Sequence, residues 1–294
     1  MSESNAGVSG FLLVDKPSGE TSHDTVQTIR KRFRTKSVGH TGTLDPMATG
    51  LLIVGIGEAT KLIEAMGGYD KTYLATVALG KETHSYDKGG KEVRTLPVPK
   101  TWRSKMRAAV AAELARTEQI PPNVSAISVD GERAHAKVRA GVEFSLPPRP
   151  VALRTMAWSA GEDDSFSMRI CVSKGYYVRA LARDLGERLG TVAHLTSLRR
   201  ETVGPFFVDH AGSPEEANLI SVADMAKRCL RLYLIDPEQA ERVRKGQRIP
   251  INPSGWEGAP LVALFCGEKL VATAHITNEG DHDVIRPRRI LHSC

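Results

Sequence analysis

The chain is short of several things. It holds four cysteines, Cys171, Cys229, Cys266 and Cys294. No two lie close enough to form the paired thiolates of a zinc ribbon. The start, MSESNAGVSG, has neither a basic n-region nor a long apolar segment, so no signal peptide is expected. Residues 1–9 read as a disordered tail. The cysteines then read as reduced thiols, and the expected location is cytoplasmic. No apolar run approaches the roughly 20 residues of a membrane helix. Gly-x-x-x-x-Gly-Lys-Ser/Thr and Gly-x-Ser-x-Gly are both missing, so neither a P-loop nor an α/β-hydrolase elbow is supported. LLIVGIGEAT does look like a strand entering Gly-x-Gly at the head of a helix. The third glycine's place is Thr60, however, and no run of parallel βαβ units follows. No nucleotide cofactor is expected.

What is present is an ordinary soluble composition, 41% hydrophobic and 25% charged over 294 residues, with a length that suggests two domains. The net charge is +6. Its clustering is more informative than its size: IRKRFRTK carries five cations between Arg30 and Lys36, and RVRKGQR and RPRR form further groups. Each group has a bland reading as a solvated face and a functional one as a surface for a polyanion.

GFLLVDKPSG reads as a buried strand ending in a Pro-Gly turn. A helix follows, capped by Ser22 or Asp24, with Val26, Ile29 and Phe33 on one face. LLIVGIG reads as a fully buried strand and EATKLIEAM as a short helix. KTYLATVALG alternates, placing Tyr73, Ala75, Val77 and Leu79 together. TWRSKMRAAVAAELA is an amphipathic helix with Met106, Val110 and Leu114 stacked. The segment from about 119 to 148, rich in Pro, Gly and basic residues, reads as an excursion from the core. VALRTMAWSA and SFSMRICVS pair across a GEDD turn. YVRALARDLGERLG is a helix ended by Gly190. A composition change near 236 suggests a small β-rich domain over 238–294, after a larger one over 10–237.

GHTGTLDPMATG, residues 39–50, poses the main question: it holds one carboxylate, Asp45, wedged between Leu44 and Pro46. Asp-Pro is a common turn starter. The alternative is a backbone fixed by Pro46 and the glycines so that a lone acid points into a cleft. Such an acid suits attack at an anomeric carbon, or removal of a proton beside it. His40, five residues away, is a candidate partner.

GHTGTLDPMATGLLIVGIGEATKL resembles the central motif of the TruB family of tRNA pseudouridine synthases. In the same order, LLVDKPSGETS, DKTYLATVALG, VSKGYYVRALARDLGERLG and HLTSLRRETVGPF resemble the family's other motifs, over about residues 10–210. The resemblance implies an α/β (α+β) pseudouridine synthase fold, a mixed, largely antiparallel sheet with flanking helices, plus a small C-terminal PUA-like domain. It implies isomerisation of uridine 55 in the tRNA T-loop without a cofactor, with the base flipped out of the loop. It makes Asp45 the carboxylate, attacking C1′ or taking the 2′ proton, with both routes open. It makes Arg179 the arginine that orients it and Tyr73 the active-site tyrosine. It places Leu198 at the pocket wall, Lys16 and Lys61 as basic neighbours, and Tyr176 and Asp87 among the substrate contacts. His40 would help flip the base. The excursion would be a thumb gripping RNA through Arg133, Lys137 and Arg139. His84, Ser128 and His135 depart from the family's usual residues. The expected partner is tRNA, bound by a monomer with no membrane or metal. The main rival reading is a tRNA-folding chaperone whose catalysis is dispensable.

Overall fold

The computed structural model describes residues 7–125, 128–129, 132–133, 146–251, 261–279 and 282–291. The chain opens with β1 (Gly10–Lys16), α1 (Ser22–Phe33), β2 (Val38–His40) and β3 (Thr49–Ile56). A 3-10 turn, Gly57–Leu62, leads into the single-turn helix α2 (Ile63–Met66), and then β4 (Lys71–Leu79), β5 (Lys81–Thr83), β6 (Glu92–Thr95) and α3 (Trp102–Leu114). Short strands follow: β7 (Glu118–Gln119), β8 (Ser128–Val129), β9 (Glu132–Arg133) and β10 (Arg149–Pro150). The core resumes with β11 (Leu153–Ala160), β12 (Ser165–Val172), α4 (Val178–Leu189) and β13 (Ala193–Val203). The last part comprises β14 (Phe206–Phe207), β15 (Leu219–Ile220), α5 (Val222–Cys229), β16 (Arg231–Leu234), α6 (Pro237–Arg244), β17 (Ile249–Ile251), β18 (Val262–Cys266), β19 (Lys269–Glu279) and β20 (His282–Ile290).

The main sheet runs β11-β12-β4-β13-β3-β1-β15, with β14 added to β13 and β2 to β3. Every pairing is antiparallel except β13 with β3. The mixed, largely antiparallel sheet expected from the sequence is therefore present. β3 is buried from Gly50 onward because the sheet is covered on both sides. Leu52, Val54 and Ile56 join α1, α3 and α4 on one face, where Trp102, Leu181 and Leu185 pack. Leu51 and Ile53 join Phe11 and Leu13 on the other.

That second face meets the C-terminal sheet, ordered β16-β18-β19-β20-β17, through Ala263, Phe265, Leu270 and Leu291. This sheet begins earlier than the expected 238: β16 pairs in parallel with β18, Arg231 opposite Val262. The sequence breaks at the Asp-Pro pair that starts α6, but that pair begins a helix within the unit.

Local signals differ in instructive ways. Thr21 caps α1, not Ser22 or Asp24: its hydroxyl accepts from the Asp24 amide while the Asp24 carboxylate accepts from the Thr21 amide. On α3 the buried face is Trp102, Met106, Ala109 and Glu113, and Leu114 is 40% exposed. Glu113 can be buried because Arg188 and Arg116 meet it at 2.6 and 3.3 Å. The Gly-x-Gly of LLIVGIG serves packing. A Cβ at Gly55 would lie 3.2 Å from the Ala59 backbone, and β3 runs antiparallel to β1, so no dinucleotide unit forms. Among the described residues no helix is long and apolar enough to cross a membrane.

Candidate active site

The turn between β2 and β3 carries Asp45. Three anchors hold it. Ser22, released from capping, bonds both Leu44 backbone groups, accepting from its amide at 2.8 Å and donating to its carbonyl at 3.1 Å. The Gly19 amide donates to the Pro46 carbonyl at 2.8 Å. The Ala48 amide donates to the Asp45 carbonyl at 3.0 Å, closing a tight turn. Leu44 and Ala48 are buried on either side of Asp45, whose side chain is 30% exposed. The acid is thus fixed at its backbone and open at its carboxylate.

Arg179, from the first turn of α4, is its partner. Nε donates to Asp45 Oδ2 at 2.8 Å and Nη2 to Oδ1 at 3.0 Å, a fork-to-fork pair. The guanidinium's remaining bonds go to the Ser85 carbonyl through Nη1 and the Val124 carbonyl through Nη2, both at 3.0 Å. Asp87 lies 3.7 Å from Nε, held by the Ser85 hydroxyl at 2.7 Å and the Gly89 amide at 3.0 Å. One buried arginine therefore faces two acids, with Asp45 the nearer. Tyr86, between Ser85 and Asp87, has a φ of 58°, which turns its neighbours toward Arg179.

Tyr73 and Leu198 are buried in the same apolar cluster as Leu44 and Ala48, on neighbouring strands β4 and β13. Lys16 is fully buried, its Nζ donating to the carbonyls of Pro17 and Glu20 at 2.8 and 2.7 Å and reaching that of Pro46 at 3.5 Å. Burial pulls its ammonium below the ordinary lysine value, and Glu20 and Asp45 partly offset this. Lys16 is thus a brace for the turn. His40 ends β2; burial, with Arg200 and His23 nearby, lowers its pKa. Its Nδ1 and the Thr41 hydroxyl are buried without a hydrogen-bond partner among the described residues.

Two expected site residues lie elsewhere. Lys61 bonds Glu58 at 2.8 Å and the Ile290 carbonyl at 3.0 Å, stitching the 3-10 turn to β20. It belongs to the junction between the two sheets because that turn faces the C-terminal unit. Tyr176 packs against the α3–α4 core, where burial and the charge of Glu113 push its phenol up. The next residue, Tyr177, lies nearer the Arg179–Asp45 pair. Its backbone is fixed on both sides by Gln119, at 3.1 and 2.9 Å, and its phenol, raised by burial, feels both Arg179 and Asp45. GYYVR offers two adjacent tyrosines, and the motif alone does not separate them: Tyr177 is the extended N-cap of α4, with φ −105° and ψ 108°, where helical phase does not yet apply.

The excursion leaves and returns at one neck, β7 against β10, with Gln119 opposite Arg149. A short hairpin, β8–β9, contains Ser128 and Arg133. Lys137 and Arg139, with His135, lie outside the described residues. His84 donates its amide to the Lys91 carbonyl at 2.9 Å, so its position shapes the loop that presents Asp87. Among the described residues no group of three or more His, Cys, Asp or Glu could hold a metal ion.

Comparison with known proteins places the chain in a family. The model of the TruB family pseudouridylate synthase N-terminal domain matches residues 30–178, and that of the tRNA pseudouridylate synthase B C-terminal domain matches 179–236. A protein of Aromatoleum aromaticum named tRNA pseudouridine synthase B is 48% identical, covering 97% of this chain and 93% of its own. One of Nocardia farcinica with that name is 42% identical over 96% and 95%. Among solved structures, a Cbf5-Nop10-Gar1 complex aligns with a TM-score of 0.70 at 21% identity, covering 99% of this chain and 91% of that one. An H/ACA RNP bound to a substrate RNA containing 2′-deoxyuridine aligns with a TM-score of 0.68, also at 21% identity, over 97% and 86%. The structural likeness gives the fold, and the sequence matches give the family: the chain belongs to the TruB family of tRNA pseudouridine synthases.

Proposed function

We propose that this isomerase of tRNA uridine acts on uridine 55 in the T-loop, with Asp45 as the group that starts the reaction. The observation that carries this reading is the two-point grip of Arg179 on Asp45 at a rigid turn. A carboxylate oriented in this way can attack C1′ or take the 2′ proton, and either step loosens the N1–C1′ bond. The freed uracil turns, C5 bonds C1′, the C5 proton departs and N1 gains one. Atoms and redox state are unchanged overall. Tyr73 lies at the wall on which the uracil ring stacks, and its hydroxyl assists loss of the C5 proton. Leu198 keeps water from the pocket.

A base stacked and paired within a folded loop cannot present its glycosidic bond to the acid, so it is extruded. His40, at the rim of the turn, takes part in that extrusion, and the excursion from 119 to 148 grips the T-stem. The protein acts as a monomer.

The test is to incubate purified protein with an unmodified tRNA transcript, add no cofactor, and map pseudouridine. Modification at position 55 alone is expected. Product at another site would overturn the position, and product from Asp45→Asn would overturn the role of the acid. Retained tRNA binding by that variant separates catalysis from a chaperone's grip.

A further inference from the structure

We infer that Arg200 is a positioning residue for the reaction, a clamp that closes the base of the turn bearing Asp45. The inference rests on the reading of Asp45 given above and concerns a side chain that never touches the acid.

Arg200 is 1% exposed, among the largest fully buried side chains in the chain. Its guanidinium makes no ion pair among the described residues. Nε donates to the Leu51 carbonyl at 2.6 Å, and Nη2 donates to the Gly42 carbonyl at 3.1 Å. Gly42 enters the Asp45 turn and Leu51 leaves it. One side chain thus ties the two ends of the segment together. Its backbone adds to this: it pairs with Gly50 of β3 on one side and with Tyr73 of β4 on the other. Arg200 therefore sets the distance between the strand that follows Asp45 and the strand that carries the tyrosine.

The backbone of β3 comes close to that of Arg200. Gly50 has a φ of +103°, and a Cβ there would sit 2.2 Å from the Arg200 carbonyl oxygen. Lys71 and Lys16, both buried, are further cations beside it, and each has its ammonium lowered with Arg200 among the causes. A guanidinium buried among cations and bonded only to neutral carbonyls is a costly way to fill space. A planar fork that can hold two carbonyls in fixed directions is what Arg supplies and Lys or Met does not. Small displacements of a reacting group are expensive in rate, so a loosened base acts on turnover before it acts on binding.

The experiment compares Arg200→Met, Arg200→Lys and Asp45→Asn, measuring the single-turnover rate, the tRNA Kd and the melting temperature. Arg200→Met is expected to lower the rate about 100-fold with Kd within about two-fold of wild type. Arg200→Lys, able to reach one carbonyl, is expected to recover about ten-fold of that loss. A folded Arg200→Met at near wild-type rate, beside an inactive Asp45→Asn, overturns this inference alone. Rate and affinity falling together also overturn it. An active Asp45→Asn overturns the reading of Asp45 and this inference with it. Should Arg200→Met fail to fold, Arg200→Lys carries the same comparison. In wild-type protein, the Arg200 Nε–H should exchange with solvent at least about ten-fold more slowly than that of an exposed arginine. Fast exchange overturns the clamp without any variant.

Discussion

Arg179 and Asp45, 134 residues apart in sequence, meet through two parallel hydrogen bonds of 2.8 and 3.0 Å. Only a planar guanidinium can hold both carboxylate oxygens and still reach the carbonyls of Ser85 and Val124. Arg179→Lys keeps the charge but loses the fork. Its single-turnover rate is expected to fall about 100-fold or more while tRNA binding stays near wild type. Measuring rate and Kd on one preparation checks this; a near-normal rate would refute the orienting role.

Tyr176 and Tyr177 should separate cleanly. The Tyr176 hydroxyl is buried without a hydrogen-bond partner among the described residues. Tyr176→Phe removes an unsatisfied polar atom and is expected to leave the melting temperature unchanged or raised, with turnover intact. Tyr177→Phe removes a phenol near the Arg179–Asp45 pair and is expected to slow turnover with little change in stability. The reverse pattern in paired melting and rate assays would contradict the placement.

Gly50 tests the close approach of β3 to β13. An added Cβ meets the Arg200 backbone at 2.2 Å, at a φ of +103° that L side chains rarely adopt. Gly50→Ala is expected to cost about 2 kcal/mol or more in urea unfolding. A loss below about 0.5 kcal/mol, typical of surface changes, would be inconsistent with that contact.

Lys71 gives a pH dependence with a definite sign. Burial, with Arg200 and Lys174 repelling it and Asp70 opposing, pushes its ammonium down to about 8 from an ordinary 10.5. Between those values the unfolded chain binds a proton that the folded chain does not, so stability rises with pH through that window. Below about pH 8 both states hold the proton and the burial cost is felt in full. Wild type is therefore expected to gain stability relative to Lys71→Met as pH rises from about 8 to 10. Urea midpoints of both proteins across that range decide it, and parallel curves would remove the effect.

The salt response tests the basic surfaces. If they track tRNA phosphates, log affinity falls linearly with log salt, at a slope of about −0.7 to −0.9 per phosphate contacted. A flat titration would exclude a backbone clamp.

Much of this was legible in the chain, and the limits are physical. The alternation in KTYLATVALG fixed β4 correctly, because one residue in two faces the core. The glycine after YVRALARDLGERL marked the end of α4, where Gly190 has a φ of +83°. Asp45 stood out by its isolation and Arg179 by motif. Arg200 did not stand out, since a buried arginine bonded to carbonyls looks like any basic residue on a strand. The choice between Tyr176 and Tyr177 needed the point at which the helix begins, since Tyr177 is its extended N-cap. The destination of Lys61 needed the second sheet, because its partner there, the Ile290 carbonyl, lies 229 residues away in the chain. The cap of α1 went astray for a related reason: Ser22 was already engaged by Leu44, 22 residues downstream.

The Val124 carbonyl sits at the root of the excursion and accepts a bond from the same Nη2 that holds Asp45. Gln119 and Ile120, at that root, likewise bond Tyr177 and Arg183 of the α4 segment. The arm that would close over an RNA and the charge pair that would act on it thus share a hinge pin. Should the excursion grip RNA as proposed, its root and the acid would be held by the same guanidinium, so an RNA that seats poorly would leave the acid misaimed.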